Sequence, residues 1–145
     1  MSRIQETRRA YDKLVELLDQ EIRKRTGSTK ELERFRQTLE VAFYLLGWGQ
    51  FEYLVRREVE QRVSENARSH TVDGYAWRYL SENVKRMSVR RRLDLIFHAD
   101  HTVRNSLEKE YDVRNESAHD YKQLPPEARD ISVWLDKLEE LVNKF

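Results

Sequence analysis

Toward its C-terminal end the chain carries the string Val113-Arg114-Asn115-Glu116-Ser117-Ala118-His119-Asp120-Tyr121. A permanent cation, a carboxamide, an imidazole and a phenol thus fall close together. Arginine keeps its charge and offers anions a planar fork, whereas histidine changes charge near neutral pH, so the chemistry within reach is anion binding beside proton transfer. An Arg with a His five positions later is common by chance in so charged a chain, but Asn directly after the Arg and Tyr two past the His make the full string much rarer. At about 100° per helical residue, with Arg114 as origin, Ala118 falls at about 40°, Lys122 at about 80°, Asn115 at about 100°, His119 at about 140° and Tyr121 at about −20°. A helix therefore puts the polar residues on one broad face. Asn115 stands one turn before His119, close enough to orient its ring, and small Ala118 leaves room for a substrate backbone or a second subunit. Spacing alone organises the string without naming a reaction.

The string resembles the Arg-Asn-x3-His signature of HEPN domains, and with Tyr121 it matches the Arg-x4-His-x-Tyr form of HepT-type toxins. The resemblance implies a small helical bundle, a homodimer that joins two copies of the motif, and a metal-independent ribonuclease needing no cofactor. It assigns Arg114, Asn115 and His119 to catalysis. It also implies a toxin-antitoxin or phage-defence setting, with a partner nucleotidyltransferase that attaches AMP to Tyr121. The implied chemistry is physically reasonable: RNA supplies its own 2′-hydroxyl as nucleophile, which leaves the protein to move protons and to stabilise a crowded oxyanion. His119 suits the proton transfers, Arg114 the phosphate oxygens, and Asn115 would hold the imidazole. One motif brings one His while the reaction needs an acid and a base, which a dimer sharing two motifs supplies.

Two other readings draw on other residues. A metal-dependent HD phosphohydrolase needs His, His-Asp and Asp, letters that His70 or His101, His119-Asp120, and Asp130 or Asp136 provide; His98 and His101 also stand one turn apart, as metal ligands often do. The two read equally as polar residues at a helix end. A non-catalytic helical module that binds nucleotide or dimerises is the third reading. Arg104-Asn105 opens like the signature, but Lys109 stands where His would be required. Lys85, Arg86, Arg90, Arg91 and Arg92 lie between Glu82 and Asp94 with no acid among them, which is either a track for RNA phosphates, joined by Lys122, or a solvated helix end.

The elements that must position these residues are helical. Gly and Pro together are scarce, at 4 and 2, while 39% of residues are hydrophobic and 37% charged, a mix suited to amphipathic helices. An all-α bundle of about five to seven helices in one domain, residues 1–145, is the expectation. With no cysteine there is no thiol nucleophile, disulfide or Cys-based zinc site. The opening MSRIQETRRAYDKL has no apolar signal region, and the longest apolar run falls far short of the roughly 20 residues of a membrane span, so a cytoplasmic chain without membrane contact is expected. With 27 basic and 26 acidic residues the net charge is +1, and any nucleic-acid binding must be local. Many arginines suit ion pairs such as Glu52 with Arg56 and Glu58 with Arg62.

Apolar spacing of three and four predicts a first helix over 3–25 (Ile4, Tyr11, Leu14, Leu18, Ile22). A second opens on a Ser28/Glu31 capping box and carries Leu32, Phe35, Leu39, Phe43 and Leu46. It meets Gly47-Trp48-Gly49 and continues through Phe51, Val55, Val59 and Val63, read as one kinked helix whose glycines admit a close neighbour. Residues 64–74 read as a loop. Tyr75 to Met87 reads as a helix with Ala76, Leu80 and Val84 on one side; Ser88 caps the next, with Val89, Leu93, Ile96 and Phe97. After a break near Asp100, Val103, Leu107 and Tyr111 extend the pattern, the signature opens a late helix, and Pro125-Pro126 precede a last stripe of Ile131, Trp134, Leu138 and Leu141. Most aromatic residues, Trp48, Trp77 and Trp134 among them, fall on these stripes and are expected in the core.

Overall fold

The structure, a computed structural model, describes residues 2–120 and 124–145, with the helical backbone alone described at positions 119 and 120. Among the described residues there are six α-helices, two short 3-10 turns and no strand. The helices are α1 (Arg3–Lys24), α2 (Lys30–Ala67), α3 (Val72–Asn83), α4 (Val89–Ile96), α5 (His101–Asp120) and α6 (Ile131–Val142), with 3-10 turns at Val84–Arg86 and Pro126–Ala128. No described helix is long and apolar enough to cross a membrane. The fold is all-α, as the periodicity predicts. Tertiary contacts divide it into two compact units, Met1–Phe51 with Glu110–Lys144, and Glu52–Lys109 with Phe145; α2 and α5 each run through both.

In the first unit α1 opens on a capping box that its apolar spacing does not reveal: Ser2 Oγ accepts from the Gln5 amide at 3.1 Å, and Gln5 accepts from the Ser2 amide at 3.3 Å. α1 and α2 run antiparallel, because Asp19 pairs with Arg36 at 2.8 Å, Tyr11 packs at a tilt against Phe43 with ring centres 5.4 Å apart, and Thr7 donates to Gln50 at 2.9 Å, one index rising as the other falls. α6 lies antiparallel to α1 in the same way, through Ser2 with Glu139, Arg8 with Asp136 and Ser132 with Asp12. Tyr44, Trp48, Phe51, Ile131, Trp134, Leu135 and Leu138 form a fully buried core.

α2 passes Gly47 and Gly49 as one helix of 38 residues. A Cβ on Gly47 would stand 2.7 Å from both Leu135 Cδ2 and Trp134 Cζ3, so this glycine admits α6; a Cβ on Gly49 meets nothing within 4 Å. Only one of the pair has the packing role that the sequence suggests for both. Alanine gains about 1 kcal/mol of helix propensity over glycine at either position, but at 47 it also overpacks the contact, at a cost of about 1–3 kcal/mol. Thermal melts should therefore show Gly49→Ala above wild type and Gly47→Ala below Gly49→Ala by that second amount. Equal melting temperatures for the two variants would contradict the close approach.

The second unit is built on Val55, Val59, Val63, Leu93, Ile96 and Leu107. Residues 64–67 continue α2 rather than opening a loop, held by Gln61 to Glu65 at 2.9 Å and by Asn66 Nδ2 to the Arg62 carbonyl at 2.8 Å. α3 begins at Val72, not Tyr75, because Thr71 caps the Gly74 amide; Gly74 is required there, since a Cβ would fall 2.0 Å from the Ser69 carbonyl oxygen. Ser88 caps α4 through the Arg91 amide, as expected. α2 starts at Lys30, where Thr29 bonds Glu33 and Ser28 Oγ accepts from the Lys30 amide, in place of the Ser28/Glu31 box. Arg62 pairs with Glu58 at 2.7 Å as predicted, whereas Arg56 reaches forward to Glu60 at 3.0 Å.

Candidate functional site

α5 starts where Asp100 accepts from the Val103 amide at 3.1 Å, and it runs unbroken to Asp120. Arg114 and Asn115 therefore stand in its closing turns, not at the opening of a late helix. Leu107, Glu110 and Ser117 are buried along one stripe of α5, at 0%, 1% and 2% exposure. Arg114 lies on that stripe between Glu110 and Ser117 and is half-buried, as is Asn115 beside it.

Arg114 Nη1 donates to Asn115 Oδ1 at 3.0 Å. Asn115 is expected to orient His119, whose side chain lies outside the described residues; its carbonyl oxygen accepts from the arginine, which draws the guanidinium toward the side on which Asn115 stands. The Asn115 amide nitrogen, a donor, is left for other partners. The backbone carries position 119 one turn beyond Asn115 and about 140° from Arg114. Tyr121 and Lys122 lie outside the described residues.

The anchor of this segment is a residue to which the sequence reading gave no role. Glu110, one turn before Arg114, accepts from Trp134 Nε1 at 2.9 Å and from Lys137 Nζ at 2.8 Å, and its backbone carbonyl accepts from the Tyr44 hydroxyl at 2.8 Å. One residue of α5 is thereby tied to α2 and to α6. Burial pushes the Tyr44 hydroxyl well above the usual phenol range; Glu110 and Glu127 push it the same way, while the Arg114 charge pulls it back. Trp48 packs at a tilt against Tyr111 with ring centres 6.0 Å apart, adding an apolar brace. The signal for Glu110 was a carboxylate three residues after Leu107, on the inward phase of the helix.

The basic run belongs to the second unit and divides in two. Lys85, Arg86, Arg90 and Arg91 are exposed, whereas Arg92 is half-buried and donates to the Lys85 carbonyl at 3.4 Å. Three residues of the HD reading have other partners: Asp130 caps α6 through the Val133 amide, Asp136 pairs with Arg8, and His98 Nδ1 lies 2.9 Å from the Leu95 carbonyl oxygen at the end of α4, while the side chains of His119 and Asp120 lie outside the described residues. Among the described residues no three His, Asp or Glu side chains group closely enough to hold a metal. Comparison with protein-family models, with curated proteins and with solved structures finds no match to this chain, so the HEPN resemblance rests on the string at 114–121.

Proposed function

We propose that the chain is a metal-independent endoribonuclease of the HEPN kind, acting through Arg114, Asn115 and His119. The observation that supports this reading most is the Arg114 to Asn115 hydrogen bond on a continuous helix, beside the buried Glu110 anchor. A guanidinium held this way gives up little side-chain freedom when it meets an anion, and its planar fork suits phosphate oxygens.

In the proposed reaction the 2′-oxygen of one nucleotide attacks its own 3′-phosphorus and the 5′-oxygen of the next nucleotide leaves. A neutral imidazole takes the 2′-hydroxyl proton, and an imidazolium returns a proton to the departing 5′-oxygen. The products are a 2′,3′-cyclic phosphate and a 5′-hydroxyl. The two histidine states are supplied by His119 of two chains in a symmetric homodimer, with Arg114 on the phosphorane oxygens. A partner antitoxin, a nucleotidyltransferase that adenylylates Tyr121, would place a phosphate near the cation meant for RNA and so silence the enzyme.

Incubation of purified protein with RNA in EDTA tests this. Cleavage that persists in EDTA is the expected result. Cleavage or phosphate release that requires an added divalent metal would move the assignment to the HD reading, and binding without turnover would move it to the non-catalytic module.

A further inference from the structure

The exposed aromatic residues of the second unit stand outside the site just described. Tyr75 and Tyr79, one turn apart on the same face of α3, are 67% and 69% exposed. Two neighbouring rings left in water contribute little to the fold. The Arg78 guanidinium lies over one face of the Tyr75 ring, 4.3 Å from its centre, and donates to the carbonyls of Ala67 and Ser69 at 3.2 Å each. One side of that ring is thus braced on the loop behind it, and the other stays open.

α3 runs directly into the 3-10 turn that carries Lys85 and Arg86, so the rings and the cations follow one another over about 15 Å of helix. The Arg92 bond to the Lys85 carbonyl draws the start of α4, with Arg91, against that turn. Lys85, Arg86 and Arg91 are exposed and form no ion pair among the described residues. Helix stability does not account for an arginine at 91, because the first turn of a helix disfavours cations and α4 has no acid there.

We propose, resting on the RNA reading above, that this surface binds single-stranded RNA, with bases stacked on Tyr75 and Tyr79 and phosphates held by Lys85, Arg86 and Arg91. A base offers its flat face to a ring only when it is unpaired, and a duplex hides those faces, which fixes the strandedness. A second copy of the chain fits the surface less well. Val72 is the one large aliphatic residue of α3 that is largely exposed, so a contact between copies would have little aliphatic surface to bury here.

The test is fluorescence anisotropy of the full chain with a 2′-O-methylated single-stranded oligoribonucleotide, which lacks the proposed nucleophile and stays intact. Wild type should bind it more tightly than the matching duplex. Tyr75→Leu and Tyr79→Leu should each weaken binding about 5- to 150-fold, and Tyr→Phe at either position should restore it, since the ring and not the hydroxyl stacks. Lys85→Gln and Arg86→Gln should each lower the slope of log affinity against log salt by about 0.7. Unchanged binding by the two leucine variants, preference for duplex, or leucine variants that dissociate a dimer while binding the strand normally would overturn the proposal. Loss of cleavage is read separately. RNA cut by wild type but bound normally by both leucine variants sinks this surface and spares the ribonuclease, whereas tyrosine-dependent binding by a protein that never cuts RNA does the reverse.

Discussion

His119→Ala should lower the rate of RNA cleavage by about 10²–10⁴-fold, the range that general acid-base catalysis contributes, while leaving the melting temperature unchanged. In a symmetric dimer the substitution removes base and acid together, so the effect belongs at the upper end. Arg114 is a less clean target: it is half-buried on the stripe that holds Glu110 and Ser117, so Arg114→Ala mixes lost packing with lost charge. Arg114→Lys keeps the charge and much of the stem but loses the fork; under the proposal it should also cut slowly, because a point charge does not reproduce two directed donors. Initial rates beside melting curves separate the cases. Wild-type rates for His119→Ala, with contaminating nuclease excluded, would refute a catalytic role for the motif.

Glu110→Ala should be the most destabilising of the substitutions considered, by about 2–4 kcal/mol. The Trp134 indole N–H is buried and loses its acceptor, and the space left by the carboxylate stem adds a cavity cost. Lys137 is 38% exposed and turns to water, so its lost ion pair adds little. The melting temperature should fall by about 5–15 °C. Glu110→Gln keeps a carbonyl oxygen for Trp134 and should fall between wild type and Ala. A drop below about 1 kcal/mol for Glu110→Ala would show that the network does not anchor α5. Activity should decline with stability here, in contrast to His119→Ala, where activity alone falls.

What could be read in advance follows the physics of each segment. α1 and α6 carry uninterrupted apolar spacing, and the Ser88 cap declares itself, so these were legible. The extent of α5 was not: beyond Leu107 its inward positions are Glu110, Arg114 and Ser117, all polar, so the apolar period lapses while the helix continues. For the same reason the signature was expected at a helix opening and stands at a helix end. The last turn of α2 was missed because it rests on i to i+4 polar pairs instead of burial. Gly74 looked like a loop residue and is in fact the residue that lets α3 start. The wholly buried Trp48 and Trp134 match the expectation for aromatic residues, but Tyr75 and Tyr79 do not, since they face away from the inner stripe of α3. The string at 114–121 was plain in the sequence; the Arg114 to Asn115 bond and the Glu110 anchor needed the fold.

The most direct measurement for the central claim is the chemistry of the cut ends. RNA incubated with the purified protein in EDTA should yield fragments ending in a 2′,3′-cyclic phosphate and beginning with a 5′-hydroxyl. Replacing a single 2′-hydroxyl by hydrogen should abolish cleavage at that one linkage. Fragments bearing 3′-hydroxyl and 5′-phosphate ends, or continued cleavage at the deoxy-substituted linkage, would mean that water and not the RNA supplies the nucleophile, and would contradict the account.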